Sequence, residues 1–340
     1  MEQIQQLVNA GLFIVVGVGA LVLYYFGSNF LLDRLLADQV APDGTVTQGR
    51  TVQREAIRPW LFVGPALLLL GVFLVFPVVQ TIGLSFFNAR GNEFIGLSNY
   101  IWAFQDPKFL ESVRNNILWL IFVPLLSTIL GLLIAVLADR VRWGTIAKSL
   151  IFMPMAISFV GASVIWRFVY DYRGVGETQI GLLNAVVQAL GGEAQAWIIL
   201  QPWNNFFLMI ILVWIQTGFA MVLMSAALRG VPEETLEAAR IDGANEIQIF
   251  IQIMVPQVMT TIVVVWTTIT IVVLKVFDIV LAMTNGQYST QVLANYMYDW
   301  MFRGGGDFGR GSMIAVVIMV AVIPIMIWNI RRFQQEEEMR

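Results

Sequence analysis

The chain has 340 residues, of which 58% are hydrophobic and only 13% charged, with a mean hydropathy of +0.75 and a net charge of −3. A soluble domain carries about a quarter charged residues, so this composition predicts an integral membrane protein. The sequence contains neither Cys nor His, which excludes disulfides, thiolate chemistry, zinc sites and the usual nucleophile–base pairs of enzymes.

Apolar segments long enough to cross a bilayer recur along the whole chain. A helix needs about 20 apolar residues to span the hydrocarbon core. The segments predict about seven transmembrane helices, at 7–27, 60–82, 116–138, 150–168, 204–228, 257–278 and 312–330. The first lacks a basic N-terminal region and a clear small-residue cleavage site, so we expect it to be retained. The expected fold is all-α and polytopic.

The basic residues predict the orientation of these helices, because Lys and Arg are enriched on the cytoplasmic side. With the N-terminus outside, most of the 20 basic residues fall in the cytoplasmic flanks: Arg34, Arg50, Arg54, Arg58, Arg140, Arg142, Lys148, Arg229, Arg240, Arg331, Arg332 and Arg340. The longer connections 83–115, 169–203 and 279–311 then lie outside. The pattern therefore predicts an N-out, C-in arrangement.

A polar, glycine-containing stretch, 38–58, separates the first apolar segment from the others. Its composition predicts a cytoplasmic linker. We therefore expect two parts, namely an additional N-terminal transmembrane helix with its linker in 1–58 and the main transmembrane domain in 59–340.

The stretch "RGVPEETLEAARIDGANEIQ" (229–248) interrupts this apolar sequence with charges on the predicted cytoplasmic side. Pro232 suits a first helical turn, and the two glutamates after it favour the positive end of the helix dipole. Gly243 suits a left-handed helix end, and Asn245 suits the cap of a second helix running into 247–274. The pattern predicts a helix–turn–helix elbow that leaves Glu237 and Arg240 available to a partner. An amphipathic interfacial helix with solvated charges is the alternative.

The spacing within the elbow resembles a known signature. The run Glu237-Ala238-Ala239, three intervening residues, Gly243, and then Val255-Pro256 resembles the EAA motif of permease subunits of binding-protein-dependent ABC importers, with Val255 in place of the usual Leu. "IDGA" (241–244), "GLSNY" (96–100), "VFDIVLAMTNG" (276–286) and "GGGDFGRGSMIA" (304–315) are similar to carbohydrate permeases of the maltose type, and most similar to those for α-glucosides. The resemblance covers about 60–335. One departure is Gly286-Gln287-Tyr288, where the family has Gly-Gly-Pro.

This resemblance implies the fold of a type I ABC importer permease in a bacterial cytoplasmic (inner) membrane, with a coupling helix at 232–244 that docks on an ATP-hydrolysing subunit. The coupling residues it implies are Glu237, Ala238, Ala239, Arg240, Asp242, Gly243 and Pro256. The implied partners are a second homologous permease, two ATP-binding subunits, an extracytoplasmic solute-binding protein, a sugar and the lipid bilayer, without nucleic acid.

The resemblance also implies a transport subunit that is not an enzyme. No cofactor is expected on this chain, and ATP and Mg²⁺ are expected on the partner ATPase. The sequence agrees with this expectation, because it contains no Gly-Lys dipeptide and hence no phosphate-binding G-x-x-x-x-G-K-[ST] loop. The match Gly304-x-Gly306-x-x-Gly309 opens a membrane helix, so we interpret it as a chance match to the dinucleotide fingerprint.

A neutral sugar needs aromatic faces with amides and hydroxyls, and polar groups inside a bilayer usually face the bundle interior. The candidates for the substrate path are Trp214, Gln216, Thr217, Phe219 and Thr268. Threonine hydroxyls can instead bond to carbonyls of their own helix, and a tryptophan can anchor at the interface. Among the positions that align with sugar contacts of the maltose permease, only Gln216 and Phe219 carry side chains suited to a sugar.

Two other functions compete with the importer. An ion-coupled secondary transporter needs ionisable residues at the midplane, whereas the only charges within the predicted spans are Arg167, Lys275 and Asp278, all near a segment end. Lys275 and Asp278, spaced i,i+3, are expected to pair with each other. A purely structural membrane subunit would not need the EAA spacing.

Overall fold

The computed structural model describes residues 2–36, 48–174, 176–304 and 306–338, which are predominantly helical. The α-helices are α1 (Glu2–Leu35), α2 (Gln48–Leu70), α3 (Phe76–Leu84), α4 (Ser98–Gln105), α5 (Pro107–Asp139), α6 (Gly144–Phe152), α7 (Phe159–Val169), α8 (Leu182–Ala189), α9 (Asn204–Leu228), α10 (Glu233–Ile241), α11 (Glu246–Ile249), α12 (Val255–Gln257), α13 (Met259–Leu274), α14 (Asp278–Met283), α15 (Leu293–Tyr298) and α16 (Phe308–Glu338). Across these ranges no strand forms, apart from an isolated bridge between Phe87 and Phe94. The all-α prediction is confirmed.

Five helical stretches are long and apolar enough to cross a membrane, namely Val8–Leu35, Val52–Leu84, Pro107–Asp139, Asn204–Leu228 and Phe308–Trp328. Two further helix pairs qualify when each pair is counted as one span. Gly144–Ala156 with Phe159–Val169 is bent by 109°, and Glu246–Gln257 with Met259–Leu274 is bent by 71°. All seven predicted segments therefore correspond to observed helices, but two of them are broken.

Each break has a local cause. In the first pair, a 3₁₀ turn at Met153–Ala156 leads into extended backbone at Ile157, and the Ser158 hydroxyl then caps α7 by accepting the Gly161 amide at 3.1 Å. In the second, Pro256 has no amide hydrogen to donate to the preceding turn, which is a π-helix at Phe250–Met254. The second helix of the elbow is therefore bent, not continuous from 247 to 274.

The predicted ion pair between Lys275 and Asp278 does not form. Helix α13 ends at Leu274 and α14 begins at Asp278, so the two residues do not share one helix. The i,i+3 spacing brings side chains together only when both residues are helical.

The chain forms two compact units, residues 1–80 and residues 81–340. Within the first unit, α1 and α2 run antiparallel. The Tyr24 hydroxyl donates to the Leu61 carbonyl at 3.1 Å, which is the carbonyl left without a helical donor by Pro65 four residues later. Of the predicted linker, residues 38–47 lie outside the described residues, whereas 48–58 are helical. The charged start of α2 is compatible with helix because Arg58 pairs with Asp33 of α1 at 2.7 Å.

In the second unit, the long helices α5 and α9 form the centre of the core. They run in the same direction, because Asn115 contacts Asn205 at one end and Asp139 contacts Ser225 at the other. Gly131 lets them approach closely, since a Cβ at this position would lie 2.4 Å from the Ala220 Cβ. Large buried side chains such as Trp119, Leu212 and Met221 fill the remaining space.

We call the two ends of this helix pair the turn end, around Asn115 and Asn205, and the elbow end, around Asp139 and Ser225. A second small core lies on α4, α15 and α16, where the Arg310 guanidinium is 4.4 Å from the ring centre of Trp102 and 4.7 Å from that of Trp300. Burial raises the pKa of the Tyr296 hydroxyl above its ordinary value, so the hydroxyl stays protonated and donates to Asp106 at 2.9 Å.

Candidate functional site

The charged helix of the elbow is α10. Pro232 lies one residue before it, as the N-cap, with φ −60° and an extended ψ of 130°. Glu233 and Glu234 form its first turn, where negative charge interacts favourably with the exposed amides and the helix dipole. The observed helix, 233–241, thus lies within the predicted 232–244 range.

The turn that ends α10 is built by backbone geometry. Gly243 has φ +87°, donates its amide to the Arg240 carbonyl at 3.1 Å, and is followed by a bond from the Ala244 amide to the Ala239 carbonyl at 3.0 Å. These two bonds form a Schellman motif, in which a left-handed residue terminates the helix. The predicted left-handed role of Gly243 is confirmed.

The next helix begins immediately after this turn. The Asn245 side chain accepts the Gln248 amide at 2.9 Å, and the Gln248 side chain accepts the Asn245 amide at 2.8 Å. This reciprocal pair is a capping box. The cap predicted at Asn245 is confirmed, and the elbow is therefore defined at both sides of its turn by local hydrogen bonds.

The surface of the elbow combines charged, small and apolar groups. Glu237, Ala238, Asp242, Gly243 and Pro256 are exposed, whereas Ala239 is buried against the protein. Ile241 is 86% exposed. This aliphatic side chain adds an apolar group to the charged surface of the elbow.

An ion-pair triad that the sequence analysis missed connects the elbow to α5. Glu246 pairs with Arg240 at 3.1 Å and with Arg140, just after the end of α5, at 2.5 Å. Arg240 is thus occupied within the chain, in contrast to the expectation that it is available to a partner. Glu237 has no ion-pair partner among the residues that the structure describes.

A second cluster holds the helix ends together beside this triad. Asp139, the last residue of α5, pairs with Lys148 of α6 at 2.6 Å and with Arg229 at 3.6 Å. The Ser225 hydroxyl of α9 donates to Asp139 at 3.2 Å and also bonds to Lys148. Three helix ends and the elbow therefore meet in one charged region.

The candidate path residues lie on α9 and α13. The Thr217 hydroxyl donates to the Val213 carbonyl at 2.7 Å, and the Thr268 hydroxyl, although exposed, donates to the Val264 carbonyl at 2.8 Å. Both threonines thus bond to their own helices, which is the alternative that weakens them as sugar contacts. Trp214 is half-buried and packs edge-on against Trp166, with ring centres 5.8 Å apart.

Gln216 differs from these threonines. Its residue is 8% exposed, and its side-chain amide has no hydrogen-bond partner within the described part of the chain. Phe219, one turn further along α9, is half-buried. Three further positions that the resemblance aligns with sugar contacts of the maltose permease are buried in the core, namely Leu212, Val273 and Val276. The unused amide makes Gln216 the best-placed candidate for contact with a solute.

The structure contains no cluster of three or more acidic residues that could hold a metal ion, within the ranges described above.

A sequence profile described as "Binding-protein-dependent transport system inner membrane component" matches residues 127–333, which is more than half of the chain. The chain belongs to this family. Membership confirms the resemblance noted from the EAA spacing, and it makes the chain a membrane-embedded transport component, not an enzyme. The matched range contains the whole elbow.

Individual relatives of this chain are also named as permease proteins. The chain is 63% identical over 332 residues to the alpha-glucoside transport system permease protein AglF of Rhizobium meliloti (strain 1021), covering 98% of each chain. It is 53% identical over 280 residues to the osmoprotective compounds uptake permease protein GgtC of Synechocystis sp. (strain ATCC 27184 / PCC 6803 / Kazusa), covering 82% of this chain and 100% of the relative.

Solved structures confirm the fold. A chain in the crystal structure of a bacterial ABC transporter involved in the import of the acidic polysaccharide alginate superposes with a TM-score of 0.70, covering 84% of this chain and 99% of that chain. Sequence identity is 19%, so this likeness concerns the fold alone. The predicted permease fold is thereby confirmed.

Proposed function

We propose that this inner membrane component is a permease subunit of an ATP-driven importer for α-glucosides or related glycosides. The observation that carries the proposal is the 63% identity with an alpha-glucoside permease over 98% of both chains. At that level of identity over the full length, the same class of transported solute is the simplest expectation.

The proposed assembly contains a second homologous permease, two ATP-binding subunits and an extracytoplasmic solute-binding protein, all in a bacterial cytoplasmic membrane. Cofactor binding is assigned to the ATPase partner, where ATP and Mg²⁺ would act. The elbow end is proposed to face the cytoplasm, which gives the N-out, C-in orientation. The basic residues of the elbow end support this assignment, since Arg140, Lys148, Arg229 and Arg240 all lie there.

Coupling is proposed to occur through α10. Its C-terminal turn is fixed by hydrogen bonds, and its outward face carries Glu237 and Ile241. The Arg140–Glu246–Arg240 triad joins it to α5. Movement of an ATPase subunit against α10 would therefore be passed to the α5/α9 core. In that core Gln216 is proposed to contact the glycoside, with Trp214 and Phe219 beside it.

The test is assembly and coupled activity. The permease is co-expressed with the second permease and the ATPase of its transport system, purified in mild detergent and reconstituted with the binding protein. We expect co-purification of the ATPase and ATP hydrolysis that rises when an α-glucoside such as sucrose or maltose loads the binding protein. Transport coupled to an ion gradient without ATP would contradict the proposal.

The substrate path is tested by Gln216→Leu, which keeps size and removes the amide. We expect the complex to assemble normally and the sugar concentration for half-maximal transport to rise about five- to tenfold, because one or two hydrogen bonds are lost. Thr268→Val, whose hydroxyl is already bonded within α13, is the matched control and should leave that concentration unchanged. Equal kinetics in wild type and Gln216→Leu would remove Gln216 from the path.

A further inference from the structure

The segment 284–291 at the turn end, which we call the amide turn, has an unusual backbone. Asn285, Tyr288 and Ser289 have φ angles of 55°, 58° and 60°. Residues other than glycine seldom adopt this left-handed region, and they keep it only where the surroundings enforce it. Such enforced conformations concentrate at binding and switching sites.

Three buried asparagines enforce the conformation. Asn115 donates to the carbonyls of Ser289 at 2.9 Å and of Gln291 at 2.8 Å, and Asn204 donates to the Tyr288 carbonyl at 2.7 Å. Asn205 donates to the Ser289 carbonyl at 3.1 Å. The amide turn is thus held against the starts of α5 and α9 by neutral side chains.

A cavity of about 260 Å³ lies where the amide turn meets these helices. Its polar lining comes from Arg114, Gln201, Asn204, Asn205 and Ser289, and Phe206 adds an aromatic group. This volume is somewhat below that of typical small-molecule sites, about 300–1,000 Å³, so it suits one sugar ring and not an oligosaccharide.

One residue of the lining, Asn205, has a buried polar atom without a partner. The Asn205 Nδ2 group lies between two acceptors, Asn115 Oδ1 at 3.4 Å and the Ser289 carbonyl, so the orientation of the amide is defined. The Asn205 Oδ1 atom then has no donor among the described residues, although Asn205 is only 4% exposed. A buried acceptor without a donor is expected to receive one from a water or a ligand.

The charge and polarity of the cavity indicate the class of ligand. Arg114 is exposed and forms no ion pair with the described residues, and the other polar groups are amides and a hydroxyl. A neutral polyhydroxyl ring matches this set, because its hydroxyls can accept from Gln201 and Arg114 and can exchange hydrogen bonds with the Ser289 hydroxyl. Its C–H face can lie on Phe206.

We propose that this cavity is a subsite for one neutral hexopyranoside ring, which holds part of the glycoside before it reaches Gln216. The proposal rests on the proposed function for the nature of the solute and for placing the turn end on the extracytoplasmic side. It assigns specificity to residues at the beginning of α9, on the same helix as the path residue.

Trp203 provides a direct readout, because it is 58% exposed and its ring centre lies 5.9 Å from that of Phe206. Methyl α-D-glucopyranoside is titrated into the complete importer in nanodiscs without the binding protein, and the difference in fluorescence between wild type and Trp203→Phe is recorded. We expect a saturable change, with binding weakened about five- to tenfold by Arg114→Ala or Gln201→Ala. Gln287→Ala, an exposed side chain in the same turn outside the cavity, is the control and should bind as wild type does.

Each result decides the matter. The subsite would be overturned by no saturable change in wild type, by a change produced only by glucuronate, or by wild-type affinity in both Arg114→Ala and Gln201→Ala. Transport assays with the binding protein separate this failure from that of the proposed function. Glycoside transport that is insensitive to both variants but sensitive to Gln216→Leu removes the subsite alone. A saturable signal without any glycoside transport removes the importer assignment and leaves the subsite.

Discussion

The turn end and the elbow end of the α5/α9 pair are held by different chemistry. At the turn end, buried asparagine amides bond to backbone carbonyls of the amide turn. At the elbow end, exposed carboxylates and guanidinium groups form ion pairs, and both partners of the Arg140–Glu246 pair are about half exposed. Buried neutral hydrogen bonds are costly to break one at a time, whereas exposed ion pairs contribute little and exchange readily with water.

The difference indicates which end is built to move. The amide turn has one geometry that three side chains enforce together, as expected for a fixed surface that receives a ligand. The elbow has well-formed helix caps but a weak attachment to α5, so it can shift as a unit. The following experiments test this difference between the two ends.

The largest effect is expected from a test of which end faces the cytoplasm. A reporter enzyme active only in the cytoplasm is fused after residue 145, 190 or 340. We expect activity at 145 and 340 and none at 190, because most Lys and Arg flank the elbow end. Activity at 190 alone would reverse the assignment of the two ends and remove the elbow from contact with a cytoplasmic ATPase.

At the turn end, Asn115→Ala leaves the Gln291 carbonyl without its donor and weakens the bonding of Ser289. We expect a loss of about 2–3 kcal/mol in stability, because a buried acceptor is left unsatisfied. The measurement is the apparent melting temperature of the purified complex. The exposed Asn92→Ala variant is the control and should have the melting temperature of wild type. If Asn115→Ala also has that melting temperature, its hydrogen bonds do not stabilise the amide turn.

At the elbow end, Gly243→Val places a β-branched residue at φ +87°. No other atom lies within 4 Å of the place that the new Cβ would occupy, so the cost is conformational, about 1–2 kcal/mol. We expect normal insertion and reduced sugar-stimulated ATP hydrolysis in the reconstituted importer. Gly243→Asn, which tolerates the left-handed region, should retain most of the stimulation. Full stimulation in the valine variant would make the shape of this turn irrelevant to coupling.

The smallest effect is expected at the ion-pair triad. Glu246→Gln removes the carboxylate that joins Arg140 to Arg240, and we expect the sugar transported per ATP hydrolysed to fall by about twofold at low salt. Salt at about 0.5 M screens exposed charges. At that concentration the sugar transported per ATP by wild type should therefore fall close to the value for Glu246→Gln. The exposed Glu177→Gln variant serves as control. A salt response equal in Glu246→Gln and wild type would exclude the triad as the connection.

Features specified by neighbouring residues could be predicted from the sequence. The seven apolar segments, the left-handed Gly243 and the cap at Asn245 all follow from residues within a few positions of each other. Hydropathy carries no directional information, so it missed the bends at Ser158 and Val258, although Pro154 and Pro256 were visible signals. The prediction of a Lys275–Asp278 ion pair was wrong because it assumed one helix through both residues. The helix in fact ends at Leu274, before either of them.

The contacts that distinguish the two ends could not be predicted from one sequence. Arg140 and Glu246 are 106 positions apart, and Asn115 and Ser289 are 174 positions apart. Polar residues near a segment end are common in membrane proteins. Only the packing of α5 beside α9 brings these particular pairs of residues into contact. The orphaned Asn205 oxygen likewise follows from a three-dimensional arrangement of amides, not from any motif.

The bond from Tyr24 to the Leu61 carbonyl has a consequence for how the first helix can vary. The Leu61 carbonyl is free to accept this bond only because residue 65 is proline. The hydrogen bond of Tyr24 therefore depends on Pro65. Replacing Pro65 with alanine would return the carbonyl to its own helix and leave the tyrosine hydroxyl without its acceptor. Tyr24 and Pro65 lie on different helices, yet the energetic effects of substitutions at the two positions are not additive. The residue at one position therefore determines which substitutions the other position accepts.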